Sequence, residues 1–347
     1  MEDFYRRVIS GQQRGLAAMS LRALAAVVEP IYRSIVRRRN ARFDRGAAPI
    51  HRAGRPVICV GNITTGGTGK TPVVRWLAES LRSRGVQPAI LLRGYRSPAG
   101  EPGDEQTLLR SQLGDVVVHA NPDRVAGAGD VLREHAEVNA LILDDGFQHR
   151  RLHRDFDLVL IDATNPFGYG RLLPRGLLRE PIDALHRADA ILITRADQSS
   201  SLNHLESTLR AAAPGKPIFR SAHQQTDLAG RDGLLPISQL AGKPVIALSG
   251  IGNPESFERQ LQSAGARIVT SKRFGDHHHY AGGELAELTN ISADAIVTTE
   301  KDWIKLARLI PQNFPIPFWR ARISVRFDSG QDQQLLEKIL ATITTPG

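Results

Sequence analysis

The sequence predicts an α/β fold: a parallel sheet with helices on both faces, a smaller C-terminal α/β lobe, and an amphipathic helix at the N-terminus. Three observations predict it. From Pro56 onward, short β-branched apolar runs alternate with stretches of helix length. A Gly/Thr-rich loop separates the first of these runs from the first helical stretch. A second strand–helix series opens at Pro244, after a mixed region punctuated by Pro214, Gly215 and Pro217.

In chain order, strands are expected at 57–60, 89–92, 116–119, 140–143, 158–161 and 190–194, with helices at 71–84 and 124–135. Such runs, four or five residues long and almost wholly apolar, suit strands buried on both faces, as in parallel sheets. The second series reads as strand 245–248, helix 254–264, strand 267–270, helix 283–289 and strand 295–298. The expected organisation is a basic helical segment at 1–50, a main lobe at 51–225 and a smaller lobe at 226–347.

Composition narrows the function classes. The chain has 347 residues, 41% hydrophobic and 23% charged, which excludes a wholly disordered or collagen-like chain. A single cysteine excludes a disulfide framework and a Cys-based zinc site. Cys59 lies in an apolar run and reads as a buried, inert thiol. The formal net charge is +9, yet residues 1–55 alone carry +8, with twelve Arg against Glu2, Asp3, Glu29 and Asp44. The body is nearly neutral, so nucleic acid is not an expected partner. At 16–36 the apolar content is high but interrupted by Arg22, Glu29 and Pro30. The unbroken run at 23–28 is far short of the roughly 20 residues a spanning helix needs. No signal-peptide pattern is evident. Arg37, Arg38, Arg39, Arg42 and Arg45 follow directly, which suits a surface of anionic headgroups. The alternative is a helix docked on the body with a solvated Arg face.

The chemistry begins at GNITTGGTGKTP, residues 61–72, between a strand and a helix. Gly66, Gly67 and Gly69 allow backbone N–H groups to turn onto phosphates, with Thr64, Thr65 and Thr68 completing the loop. Lys70 supplies a charge at the β- and γ-phosphates, Thr71 a hydroxyl for Mg²⁺, and the helix N-terminus its dipole. Thr64 stands where the common G-x-x-x-x-G-K-[ST] pattern has its first Gly, so the loop is the G-G-x-G-K-T variant. A strand-ending acid should accompany it, and Asp144-Asp145 after the 140–143 run fits. These features give a P-loop phosphotransferase or NTPase using a nucleotide and Mg²⁺, and they leave the substrate open.

Further motifs resemble one family. The phosphate loop, RGY at 93–95, DDGFQH at 144–149 and RLLPRGLLREP at 171–181 together resemble the tetraacyldisaccharide 4′-kinases of lipid A synthesis. GDE at 103–105, NPDR at 121–124, FGDHH at 274–278 and TEKD at 299–302 add to the likeness, which runs from the N-terminal helix to about residue 306. The resemblance implies phosphorylation by ATP of the 4′-hydroxyl of a tetraacyldisaccharide 1-phosphate, a membrane lipid, giving the precursor lipid IVA. It implies a site in a cleft between two lobes, action at the cytoplasmic face of a bacterial inner membrane, and no obligate protein partner. It assigns Asp104 as general base with His277 as its partner, and adds Glu180 to Thr71, Asp144 and Asp145 at the metal. It makes Asn62, Tyr95, Arg124, Gln148, His149 and Arg179 substrate contacts, with Arg175 a further candidate. From spacing alone Asp104 reads as a loop acid, and three successive histidines at 277–279 do not converge on one ion. The chain departs from the family pattern at Arg96-Ser97, Gln106, Phe147 and Arg150. The alternatives are a P-loop switch ATPase of the partition or metal-insertion type, acting with a protein partner, and a membrane adaptor with a decayed nucleotide site.

Overall fold

A computed structural model describes residues 2–94, 103–231, 233–252, 254–275 and 278–344. The chain divides into two compact units. The first comprises Met1–Gly94, Asp115–Ala222 and Phe327–Gly347, and the second Tyr95–Gly114 and His223–Arg326.

The first unit begins with helices α1 (Glu2–Ile9) and α2 (Leu16–Asp44). Then come β1 (Val57–Asn62), α3 (Lys70–Ser83) and β2 (Pro88–Leu92). Helix α4 (Asp104–Leu113) belongs to the second unit. The first resumes with β3 (Val117–Ala120), α5 (Arg124–Glu134), β4 (Ala140–Asp144), β5 (Phe156–Asp162), β6 (Ala190–Thr194) and α6 (Leu202–Ala212). Strand β7 (Ile218–Gly230) starts in the first unit and continues into the second. The sheet order of the first unit is β3-β2-β4-β1-β5-β6-β7, with parallel pairing throughout. Strands β1, β2, β4, β5 and β6 are buried at every residue, which is why each carries an apolar run of four or more residues. Chain order reverses around β1, placing the loop that follows it at a switch point, where parallel sheets bind ligands.

The second unit contains β8 (Gly233–Pro236), antiparallel to β7, then β9 (Pro244–Ser249), α7 (Pro254–Ser263) and β10 (Arg267–Arg273). It continues with α8 (Gly282–Ala286), β11 (Ala295–Thr299), α9 (Glu300–Leu306) and β12 (Phe318–Phe327). Helix α10 (Gln331–Thr344) returns to the first unit. Strands β10, β9, β11 and β12 pair parallel in that order. Val245 and Ala247 pack into one core cluster, Ile246 and Leu248 into another, so successive side chains of β9 feed opposite faces.

Helix α2 runs unbroken from Leu16 to Asp44, in the segment where the sequence implied a helix, and Arg22, Glu29 and Pro30 interrupt only its apolar run. Arg22 donates to the carbonyl oxygens of Val8 and Gln13, tying α1 to α2. Glu29 is buried and accepts from Arg33, Arg175 and the backbone N–H of Leu172. These charges hold the helix to the body instead of breaking it. Among the described residues no helix is long and apolar enough to cross a membrane.

Candidate functional site

The phosphate loop joins β1 to α3. Gly66 has φ 110° and Gly69, the N-cap of α3, has φ 78°, backbone states that a side chain would strain. The loop is braced from two directions. On one, Thr65 N donates to Leu177 O (2.7 Å), Arg179 N donates to Ile63 O (2.7 Å), and Thr64 bridges to Leu178. On the other, the buried Thr194 hydroxyl donates to Thr68 O (2.9 Å), and Arg195 reaches Gly67 O (3.1 Å) while pairing with Asp162. Arg195 and Asp162 escaped the sequence reading. Both sit at the C-terminal ends of parallel strands, the signal that had singled out Asp144.

Lys70 Nζ stands 3.3 Å from Asn62 Oδ1 and 3.3 Å from Asp145 Oδ1. Register pairs Val60 with Asp144, so β4 delivers its terminal acids beside the loop. Asp145 has φ 52°, a left-handed conformation. Both its oxygens accept from Arg179, at 3.0 and 2.8 Å. Burial pushes the Asp145 carboxyl up, but Lys70 and Arg179 together outweigh it and hold it below the usual range. Gln148 joins the group, donating to Asn62 O and accepting from Arg179. Two glycines make the close approach possible. A Cβ on Gly61 would lie 2.6 Å from Phe147 Cβ, and one on Gly146 would lie 2.4 Å from Leu143 and 3.1 Å from Cys59 Sγ. Cys59 is buried as expected, and burial raises its thiol pKa well above the ordinary value.

Several of the other expected residues have partners of their own. Asn62 is fully buried and turned onto the loop, donating to Thr64 O. Arg124 is buried under the site, and its guanidinium donates to the carbonyl oxygens of Asn121, Pro122 and Asp144. Glu180 is fully buried and accepts from Arg187 (2.8 Å) and Asn40 (2.6 Å). Both bonds fall on Oε2, while Oε1 has no hydrogen-bond partner and lies 3.7 Å from Arg39 Nη2. Among the described residues no three His, Cys, Asp or Glu side chains gather around one point. Arg175 pairs with Glu29. Arg150, a departure from the family pattern, pairs with Asp44 and lies 5.1 Å from the Phe43 ring, anchoring the end of α2. Asp104 is the first residue of α4, where the sequence alone implied a loop. Tyr95 and His277 lie outside the described residues.

His149 is half-buried, with Nε2 lacking a hydrogen-bond partner. Burial, then Arg124 and Arg151, lowers its pKa to about 4. The folded state therefore binds this proton more weakly than the unfolded chain, whose histidine titrates near 6.5. Its contribution to stability is complete above about pH 6.5 and lost as pH falls toward about 4. Thermal melts should show Tm declining across that window, and His149→Gln should flatten that part of the profile. An unchanged profile would remove His149 as a source of acid sensitivity.

The donor set suits Mg²⁺ with a nucleotide. One hydroxyl (Thr71) and two carboxylates (Asp144, Asp145) are the kind of hard oxygen donors Mg²⁺ takes, beside a glycine-rich loop. A braced phosphate loop, its lysine and strand-end acids at the switch point of a parallel sheet define a P-loop phosphotransferase or NTPase. A family model, "LpxK: Tetraacyldisaccharide-1-P 4′-kinase", matches residues 21–343, and the chain belongs to this family. A tetraacyldisaccharide 4′-kinase of Anaeromyxobacter sp. (strain K) is 41% identical over 307 residues, covering 81% of this chain and 80% of the relative. That of Geobacter sulfurreducens is 37% identical over 334 residues, covering 89% and 92%. Among solved structures, the Aquifex aeolicus LpxK crystallised with ATP matches with a TM-score of 0.75 and 29% identity, over 93% of this chain and 99% of that one.

Proposed function

We propose that this protein is an ATP-dependent kinase that phosphorylates the 4′-hydroxyl of a tetraacyldisaccharide 1-phosphate, working at the cytoplasmic face of the bacterial inner membrane. The observation that carries the reading is the Lys70–Asp145–Arg179 group beside a braced G-G-x-G-K-T loop, in a chain that matches the kinase family over residues 21–343. The switch-ATPase alternative shares the loop but not the family match.

In this reading the loop N–H groups and Lys70 hold the β- and γ-phosphates of ATP. Thr71, Asp144 and Asp145 would hold Mg²⁺, which would supply neutralising charge at the phosphates. Arg179 keeps Asp145 ionised and oriented, and Gln148 and His149 face the sugar side. Asp104 takes the proton of the 4′-hydroxyl, with His277 as its partner. A phosphoryl-transfer transition state is loose, so the proton leaves late and the carboxylate acts mainly by orienting the alcohol.

The membrane reading draws on α2. Leu24, Val27, Ile31 and Ile35 are 58–68% exposed and recur at helical spacing on one face, which continues into exposed Arg38 and Arg42. An apolar stripe leading into cations suits acyl chains below anionic headgroups. Beside it a cavity of about 680 Å³, lined by Phe4, Tyr5, Leu21, Leu24 and Val28, offers room for part of an acyl chain.

The test is transfer of label from γ-labelled ATP to the disaccharide 1-phosphate in detergent micelles. Absence of lipid phosphorylation, with ATP hydrolysis stimulated by a protein partner instead, would sink the kinase reading. For the membrane contact, deletion of the N-terminus is a poor test. Tyr32 donates to Arg179 O and Asn40 to Glu180, so removing α2 would unpack the site. Leu24→Asn combined with Ile31→Asn leaves those ties in place. The pair should weaken binding to anionic-lipid vesicles about tenfold or more, with Tm nearly unchanged. Undiminished binding would reject the helix as the membrane contact.

A further inference from the structure

We propose that Lys305 is a positioning residue, holding the Asp104 carboxylate from helix α9; this rests on the reading of Asp104 as general base. The TEKD motif at 299–302 plays no part in the chemistry described so far, yet it opens α9. Three side chains leave this helix, and each fixes something.

Asp302 is almost fully buried and accepts from Gly250 N (3.0 Å), Tyr280 OH (2.8 Å) and Thr299 OH (2.6 Å). The packing is close enough that a Cβ on Gly250 would lie 2.9 Å from both Asp302 Oδ1 and the Tyr280 hydroxyl. Three donors on one buried carboxylate set the start of α9 rigidly. Glu300, also buried, accepts from Gln112 in the last turn of α4 (2.5 Å) and from Ile323 N of β12 (3.3 Å). Lys305 then reaches the opposite end of α4, with Nζ 3.3 Å from Asp104 Oδ2. Thus α9, itself locked by Asp302, pins α4 at both ends. All these residues belong to the second unit.

The exposures suit the role. The Lys305 side chain is 17% exposed, so the pair is only partly screened, whereas that of Asp104 is 42% exposed and accessible to a hydroxyl. One oxygen held by an ammonium fixes the direction of the other. Correct aim is worth roughly 10²-fold per ångström in a transfer reaction governed by geometry.

The experiment compares Lys305→Met, Lys305→Arg, Asp104→Asn and the double variant Lys305→Met/Asp104→Asn of the full chain in the micelle assay, with thermal melts of each. Lys305→Met should lower kcat roughly 10- to 100-fold, with KM for ATP within about twofold and Tm close to that of the parent. Lys305→Arg should recover most of the loss. In the Asp104→Asn background, Lys305→Met should add less than about twofold, because the group it positions is already gone. If Asp104→Asn retains near-normal kcat, the general-base reading falls and this proposal with it. If Asp104→Asn is impaired while Lys305→Met turns over normally, the proposal alone is overturned. Multiplying losses in the double variant also overturn it, because Lys305 then acts independently of Asp104. Lys305→Gln replaces the Met variant should that fail to fold.

Discussion

Lys70→Ala should reduce phosphoryl transfer by roughly 10²–10³-fold, the scale expected when one positioned charge is removed from a developing transition state. The fold should survive. Lys70 is partly exposed, and Asp145 keeps both of its bonds to Arg179, so no buried charge is stranded. Tm should therefore hardly move while activity collapses. Lys70→Arg is not a conservative control. A planar fork cannot enter the space between Asn62 Oδ1 and Asp145 Oδ1, both 3.3 Å from the ammonium, without displacing one of them. Labelled-ATP transfer measured alongside a melt decides the matter, and an activity loss under about tenfold would remove Lys70 from the mechanism.

The second large effect is on stability. Glu180→Ala should destabilise the protein by about 3–5 kcal/mol, because it leaves the Arg187 guanidinium buried without its counter-charge. The side chains of Glu180 and Arg187 are 0% and 9% exposed, so water cannot compensate. Asn40 loses its acceptor as well, which loosens α2 from the body. A drop in Tm on the order of 10 °C is expected by calorimetry. The family resemblance had placed Glu180 at the metal, and that role predicts the reverse: an unchanged melt with a raised Mg²⁺ requirement. The ion pair with Arg187, which itself lies 4.4 Å from the Phe147 ring, makes the structural outcome the expected one.

Legibility in the sequence followed the range of the interaction. The fully buried parallel strands were readable because burial on both faces leaves unbroken apolar runs, and the phosphate loop because its glycines, Lys70 and Thr71 are contiguous. Strand β7 was missed because it carries buried Ser221, His223 and Gln225 among its apolar residues. Strand β12 alternates Arg320, Arg322 and Arg326 with hydrophobic residues and stays half-buried. Helix α6 fell inside the region read as mixed. At the site, Asp144 and Asp145 could be found from a strand end. Arg195, Asp162 and Lys305 owe their places to pairings across 33 to 201 positions of sequence, which no local pattern encodes. The same reason applies to the bond from Arg124 to the carbonyl oxygen of Asp144, which spans 20 positions.

The division of the chain into units has a consequence for how the protein can be cut and built. The polypeptide crosses from one unit to the other four times, after residues 94, 114, 222 and 326. A chain ended at residue 225 would retain the phosphate loop but lose α10, which packs on α3, and would leave Trp76 without Phe327, whose ring centre lies 4.5 Å away. A chain started at residue 226 would lack α4, and with it Asp104. Neither portion is a self-sufficient module, so the two units cannot be exchanged between relatives by a single splice.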